Sequence, residues 1–156
     1  MEWDVLFTDE FGTWWESLDA DEQADVDAYV VLLQKFGASL RFPYTSGVQS
    51  SAHDQMRELR VQHRGRPYRV LYAFDPTRSA LLLIGGDKTG DDRWYETYVP
   101  IADRLYSEHL AALARERKGQ DQREAKEFQR TTGRNDGRGS RQKRRKSKNS
   151  HTRHGS

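Results

Sequence analysis

Apolar and polar positions follow two different rhythms along this chain, and the switch between them predicts the order of its elements. Trp3-Asp4-Val5-Leu6-Phe7 is short, aromatic and β-branched, which predicts a first strand. Thr8-Asp9-Glu10 then opens a segment carrying Phe11, Trp14, Trp15 and Leu18 at helical offsets, a short helix. Asp19 followed by Glu22 reads as a capping box with Asp in the Ser/Thr place. Val26, Tyr29, Val30, Leu33 and Phe36 recur behind it at spacings of three and four, so a second helix is expected over about 20–36, stopped by Gly37. Residues 38–55 hold Pro43, Gly47 and no sustained period, which predicts a loop or at most a short irregular strand.

From Met56 the period becomes two. Leu59, Val61 and His63 fall on one side, and Glu58, Arg60 and Gln62 on the other. Arg64-Gly65-Arg66-Pro67 is a tight link, Tyr68–Phe74 is a strongly β-prone strand, Asp75-Pro76-Thr77 is a turn, and Ala80–Ile84 is a continuous apolar strand. Short links between successive strands imply an antiparallel meander. After a Gly/Asp-rich loop, Trp94, Tyr98, Ile101, Leu105, His109, Leu110 and Leu113 follow helical spacing, with Pro100 placed to start or kink that helix. The expected order is β-α-α-β-β-β-α: an α+β unit, with a small antiparallel sheet packed against two N-terminal helices and a C-terminal helix.

Charge divides the chain. Residues 1–114 hold 11 Lys/Arg and 19 Asp/Glu, net −8, whereas residues 115–156 hold 15 and 5, net +10. Past Leu113 only Ala114, Ala125 and Phe128 have apolar character, too little to offset the entropy of ordering. The expected organisation is a folded domain over 1–118 and a basic, disordered tail over 119–156. The absence of cysteine removes disulfides, thiolate zinc sites and Cys nucleophiles. His53, His63 and His109 have no close ligand spacing, so neither a metal nor a cofactor is expected. The segment Gly85-Gly86-Asp87-Lys88-Thr89-Gly90 lacks the residue order of a phosphate-binding loop. The start Met1-Glu2-Trp3-Asp4 is the opposite of a basic signal region, and no apolar run is long enough to span a membrane, which points to the cytoplasm.

Arg57, Arg60, Arg64, Arg66 and Arg69 crowd 13 residues of an otherwise acidic body, interleaved with His63 and Tyr68. Guanidinium forks suit phosphates, and flat rings suit bases, so the mixture suits RNA. A hairpin turning at Gly65-Arg66 would set Gln62 opposite Arg69 and Arg60 opposite Leu71, leaving Arg60 and Arg69 on one sheet face. The next turn brings Gly85 and Gly86 beside Arg69 and places Lys88 just past the strand end. Three cations gathered there expect an anion. The competing reading has Arg60 and Arg69 solvated, or paired with Glu58, Asp87, Asp91 or Asp92. By alternation His63 packs with Leu59 and Val61, and Tyr68 and Tyr72 belong to the core. The tail stretch Gly139–Lys148 is a polycation suited to RNA, to solubility, or to lying across the ten acids of residues 1–27.

The run Met56-Arg57-Glu58-Leu59-Arg60-Val61-Gln62-His63-Arg64-Gly65-Arg66-Pro67-Tyr68-Arg69-Val70-Leu71-Tyr72 resembles the phage-derived HigB branch of the RelE/ParE toxins of bacterial type II toxin–antitoxin systems. The resemblance covers about residues 3–114. It implies a RelE-like fold and a ribosome-dependent endoribonuclease that cuts messenger RNA and is silenced by a cognate antitoxin, a helix-turn-helix protein. Arg60, Arg69 and Lys88 match the family's catalytic-face positions. His63, Arg64, Arg66, Arg93 and Tyr95 are the expected RNA contacts. Where the family often continues with further Lys and Thr-Pro, this chain has Gly90-Asp91-Asp92-Arg93-Trp94-Tyr95, which lowers the positive charge and offers Tyr95 as a stacking ring. Attack by the substrate's own 2′-hydroxyl needs no protein nucleophile and no metal, only alignment, charge stabilisation and proton transfer. Arginine serves the second task and cannot serve the third, which falls to Lys88 or His63. Two alternatives keep the fold: a non-catalytic RNA- or protein-binding module, and a ParE-like poison of DNA gyrase.

Overall fold

The computed structural model describes residues 2–132; the polycationic stretch Gly139–Lys148 lies outside the described residues. Strands β1 (Val5–Phe7), β2 (Thr45–Gly47), β3 (Arg57–His63), β4 (Arg66–Phe74) and β5 (Ala80–Asp87) form one sheet in the order β1-β5-β4-β3-β2. The expected meander is β3-β4-β5. One feature falls within the sequence expectation and one departs from it. β2, three residues antiparallel to the outer edge of β3, is the short strand allowed for in residues 38–55. β1 pairs parallel with β5, so the sheet is mixed; a parallel pair needs a long crossover, and everything between residues 7 and 80 supplies it.

Helices α1 (Asp9–Glu16) and α2 (Ala20–Phe36) start on side-chain caps. The Thr8 hydroxyl accepts from the Phe11 amide at 3.0 Å and donates to the Leu83 carbonyl at 2.6 Å. The Asp19 carboxylate accepts from Glu22 N while Glu22 Oε1 accepts from Asp19 N, the complete reciprocal box. The other oxygen of Glu22 accepts from the Tyr68 hydroxyl at 2.5 Å, so one carboxylate both caps α2 and fastens it to the sheet.

The two faces of the sheet have separate coverings. Leu59, Val61, Tyr68, Val70, Tyr72 and Leu82 pack beneath Phe11, Val26, Val30 and Leu33 of α1 and α2. On the opposite face Leu71, Ala73, Leu81 and Leu83 are buried, as are Trp94, Val99, Ala102, Leu105 and Tyr106 from the start of α3 (Trp94–Thr132). Consecutive glycines in β5 make room for an indole on each side. A Cβ on Gly85 would approach Trp14 to 2.3 Å, and one on Gly86 would approach Trp94 Nε1 to 2.7 Å.

The β3–β4 hairpin turns on Arg64 and Gly65, both at positive φ (50° and 76°). That places the turn one residue earlier than Gly65-Arg66 and moves the register by two, so Arg60 pairs with Arg69 itself. An even shift preserves the face.

The chain divides into two compact units between Glu108 and His109. Among the described residues the second unit is the distal part of α3, where every residue from Asp121 to Thr132 is exposed. Residues 119–132 are therefore helical, which corrects the expectation of disorder there. The absence of a buried face was read correctly, but local preference suffices: the segment is rich in Ala, Arg, Glu, Lys and Gln, and pairs such as Gln120–Glu124 (3.1 Å) close one turn on the next.

Burial, followed by the hydrogen bond to Glu22, pushes the Tyr68 phenol up to about 12. The protonated phenol is the form the fold favours, so its stabilisation is complete below pH 10 and fades as pH rises toward 12. Tyr68→Phe is expected to cost about 1.5–3 kcal/mol in urea denaturation at pH 7, a hydrogen bond to a charged group. The gap to the parent should close across that alkaline window; a gap unchanged by pH would refute the linkage.

Candidate functional site

Arg60 and Arg69 face each other across β3 and β4, and Gly86 of β5 completes the row. Glu58, two residues before Arg60, projects from the same face. Its Oε1 lies 3.3 Å from Arg60 Nη1 and 3.8 Å from Arg69 Nε. One carboxylate thus stands between two guanidiniums. Lys88 follows β5, its amide held to the Pro67 carbonyl at 3.0 Å, and its Nζ sits 5.0 Å from the centroid of the Tyr95 ring. Tyr95 in turn reaches the charges of Glu58 and Arg69. Burial first, then the Glu58 carboxylate, raise its phenol above the ordinary 10.0. Arg60, Arg69, Lys88, Glu58 and Tyr95 therefore form one contiguous group.

The group is unevenly exposed. The Arg69 side chain is 4% exposed and that of Arg60 is 29%. Arg69 donates from Nη1 to the Tyr68 carbonyl at 3.0 Å, but its buried Nε has no hydrogen-bond partner, and neither does Glu58 Oε2. Both are costly to leave so in a dry interior. Arg60, by contrast, lies with its guanidinium 5.1 Å from the centroid of the Phe42 ring, itself 70% exposed. Two guanidiniums thus share one carboxylate, with the Lys88 ammonium nearby on the Tyr95 ring, so Glu58 does not neutralise the group. Pairing with Glu58, one of the competing readings, is thus real but incomplete.

The remaining expected contacts divide. The structure does not bring His63 to this face: it is buried against the helices with Nδ1 2.6 Å from Asp25 Oδ2, a consequence of its alternation with Leu59 and Val61. Arg64 extends from the hairpin tip to Asp21 at 2.7 Å. Arg66 lies on the helix side of β4, pairing with Asp87 at 3.3 Å over the Tyr68 ring. Arg93 is exposed immediately before Trp94. Sequence reasoning named Glu58 only as a competing partner of the arginines, not as a member of the site, and missed Phe42. Glu58 could have been found, since it shares the parity of Arg60; Phe42 carried no signal, because its loop has no period. Among the described residues no cluster of three potential metal ligands occurs, and no helix is long and apolar enough to cross a membrane.

Residues 13–107 match the family described as "Phage derived protein Gp49-like (DUF891)". The chain belongs to this Gp49-like family. Two proteins of Mycobacterium tuberculosis (strain ATCC 25618 / H37Rv) are similar to it. "Putative toxin HigB3" is 38% identical over 109 residues, which are 69% of this chain and 94% of that relative. "Putative toxin HigB2" is 38% identical over 100 residues, 63% of this chain, which spans about half (50%) of that longer protein. A solved structure of E. coli toxin RelE, a mutant in the free state, is 11% identical with a TM-score of 0.46, covering 62% of this chain and 94% of that one. The Gp49-like chain is thus HigB-like.

In this HigB-like chain Glu58 is what makes a buried Arg69 tolerable. Glu58→Gln is expected to destabilise the fold by about 3–5 kcal/mol, since it leaves a buried guanidinium uncompensated. Adding Arg69→Met should restore most of that loss in urea denaturation, and failure to recover would show that the pair is not the source. The Tyr95 phenol, followed as the near-ultraviolet difference from Tyr95→Phe, should ionise above pH 10.0, and Glu58→Gln should lower its midpoint. A midpoint at or below 10.0 in the parent would contradict the geometry.

Proposed function

We propose that this HigB-like toxin is a ribosome-dependent messenger RNA endonuclease, active in the cytoplasm and controlled by a cognate antitoxin. The observation that carries the reading is the meeting of Arg60 and Arg69 at a single carboxylate on one sheet face, with Lys88 beside them on the Tyr95 ring. Arg60 is the cation exposed enough to take the scissile phosphate directly. Arg69 acts from beneath, where low dielectric lengthens the reach of its charge. Lys88 adds a second point of contact at the rim, and the exposed Phe42 ring and the half-buried Tyr95 ring offer faces for bases. Arg93, exposed immediately before Trp94, extends the basic margin along the RNA.

In the reaction the 2′-oxygen forms a bond to phosphorus as the bond to the 5′-oxygen breaks, leaving a 2′,3′-cyclic phosphate and a free 5′-hydroxyl. The proton lost from the 2′-hydroxyl goes to a base, and the departing 5′-oxygen gains one. The Tyr95 phenol, held in its protonated form at neutral pH, suits the donor role, and the unpartnered Oε2 of Glu58 is a proton acceptor within the group. The engagement of both guanidiniums by Glu58 favours a second reading as well: a face that binds RNA without cutting it.

Induction in bacteria with mapping of messenger RNA ends tests the two. Cleavage predicts growth arrest with codon-phased cuts, reduced about 100-fold or more by Arg60→Ala or by Arg69→Met, which keeps the buried volume. Arg64→Ala, at the hairpin tip, should change cutting little. Arrest without cuts would contradict cleavage and leave binding or gyrase poisoning.

A further inference from the structure

The exposed distal part of α3 sorts its charges by face. With 3.6 residues per turn, Arg115, Lys118, Arg123, Lys126 and Arg130 fall within an arc of about 140°, while Glu116, Asp121, Glu124 and Glu127 fall outside it, Glu116 and Glu127 bordering it next to Arg123. Arg117 alone among these cations lies with the acids, four residues before Asp121. Residues sharing the cationic arc between Arg115 and Arg130 are Gly119, Gln122 and Gln129, all uncharged. All five cations are exposed, and none forms a salt bridge to a described residue. Arg123, Lys126, Glu127 and Arg130 line one shallow groove, three cations to one acid.

A helix stabilised only by its own spacing gains most when opposite charges sit three or four residues apart around the whole surface. This segment has such spacings at Lys118–Asp121, Arg123–Glu127 and Glu127–Arg130, yet none closes a salt bridge, and its five cations lie along one arc, an arrangement that an anion covering them would stabilise. The apolar residues rule out a lipid surface as the fitting partner. Leu110, Leu113 and Phe128 lie among the acids rather than beside the cations, so no apolar face could enter a bilayer beneath a basic one. From Arg115 to Arg130 the helix rises about 22 Å, with cations spaced about 4–8 Å apart along it. That is a linear array, and its complement is a linear array of negative charge.

We propose that this face of α3 docks along the phosphodiester ridge of a nucleic-acid double helix, independently of base sequence. The proposal does not depend on cleavage chemistry. Backbone contacts release counterions, so affinity falls with salt at a slope of about 0.9 per phosphate neutralised for duplex DNA. The test uses the full chain and the triple variant Arg123→Gln, Lys126→Gln, Arg130→Gln, which retains good helix formers; circular dichroism checks its helix content. Binding to a 20-base-pair RNA duplex, the DNA duplex of the same sequence, anionic vesicles of phosphatidylserine, and polyglutamate is measured from low to physiological salt.

The slope on duplex should fall by about 2 to 3 in the triple variant, and Arg117→Gln should leave it within about 0.5. A fall on both duplexes supports contact with the shared backbone; a fall on one identifies that duplex as the partner. An unchanged slope on both overturns the proposal. So does an equal loss in Arg117→Gln, which would reduce the effect to net charge. A loss confined to vesicles, or as large on polyglutamate as on the duplexes, also overturns it.

Discussion

Two guanidiniums sharing one buried carboxylate is the constraint around which this molecule is arranged. Arg60 and Arg69 pair directly across β3 and β4, and Glu58 lies between them on the same face. A buried cation is tolerable only with a counter-charge, and a single carboxylate cannot saturate two forks. The arrangement is therefore stable but incompletely neutral. Its unfilled positions, Arg69 Nε and Glu58 Oε2, lie in the group that Lys88 and Tyr95 close. A face with those properties favours a passing anion.

The rest of the fold delivers these residues. Hairpin register decides whether the arginines meet, and the Arg64-Gly65 turn sets that register. Gly86 lets Trp94 lie against β5, which starts α3 where Tyr95 can reach Glu58 and Arg69. On the opposite side the Glu22 carboxylate joins the α2 cap to Tyr68. Both helical layers are thus tied to the same two central strands that carry the cations.

Much of this was legible from residues alone. The Asp19–Glu22 box, the stop at Gly37, the meander and the shared face of Arg60 and Arg69 follow from local preferences and a period of two. Those signals survive a register error of two residues, because parity does. What was not legible depended on long-range or very short features. The parallel pairing of β1 with β5 joins residues far apart in sequence, and β2, only three residues long, could be read only as a loop or a short strand. The helical course of residues 119–132 buries no face and so leaves no apolar period; it rests on the intrinsic helix preference of its Ala, Arg, Glu, Lys and Gln residues. Phe42 entered the site through a loop conformation that no pattern announces.

The central claim is that this partly neutralised group is a seat for a nucleic-acid backbone. The most direct measurement is side-chain nitrogen NMR of the arginine and lysine resonances during titration with a codon-length RNA blocked by 2′-O-methylation, so that it binds without reacting. The account predicts saturable shifts of Arg60 and Lys88, with Arg69 following through Glu58 and Arg64 left in place. Shifts that spare Arg60 and Lys88, or that appear only in the distal part of α3, would contradict it.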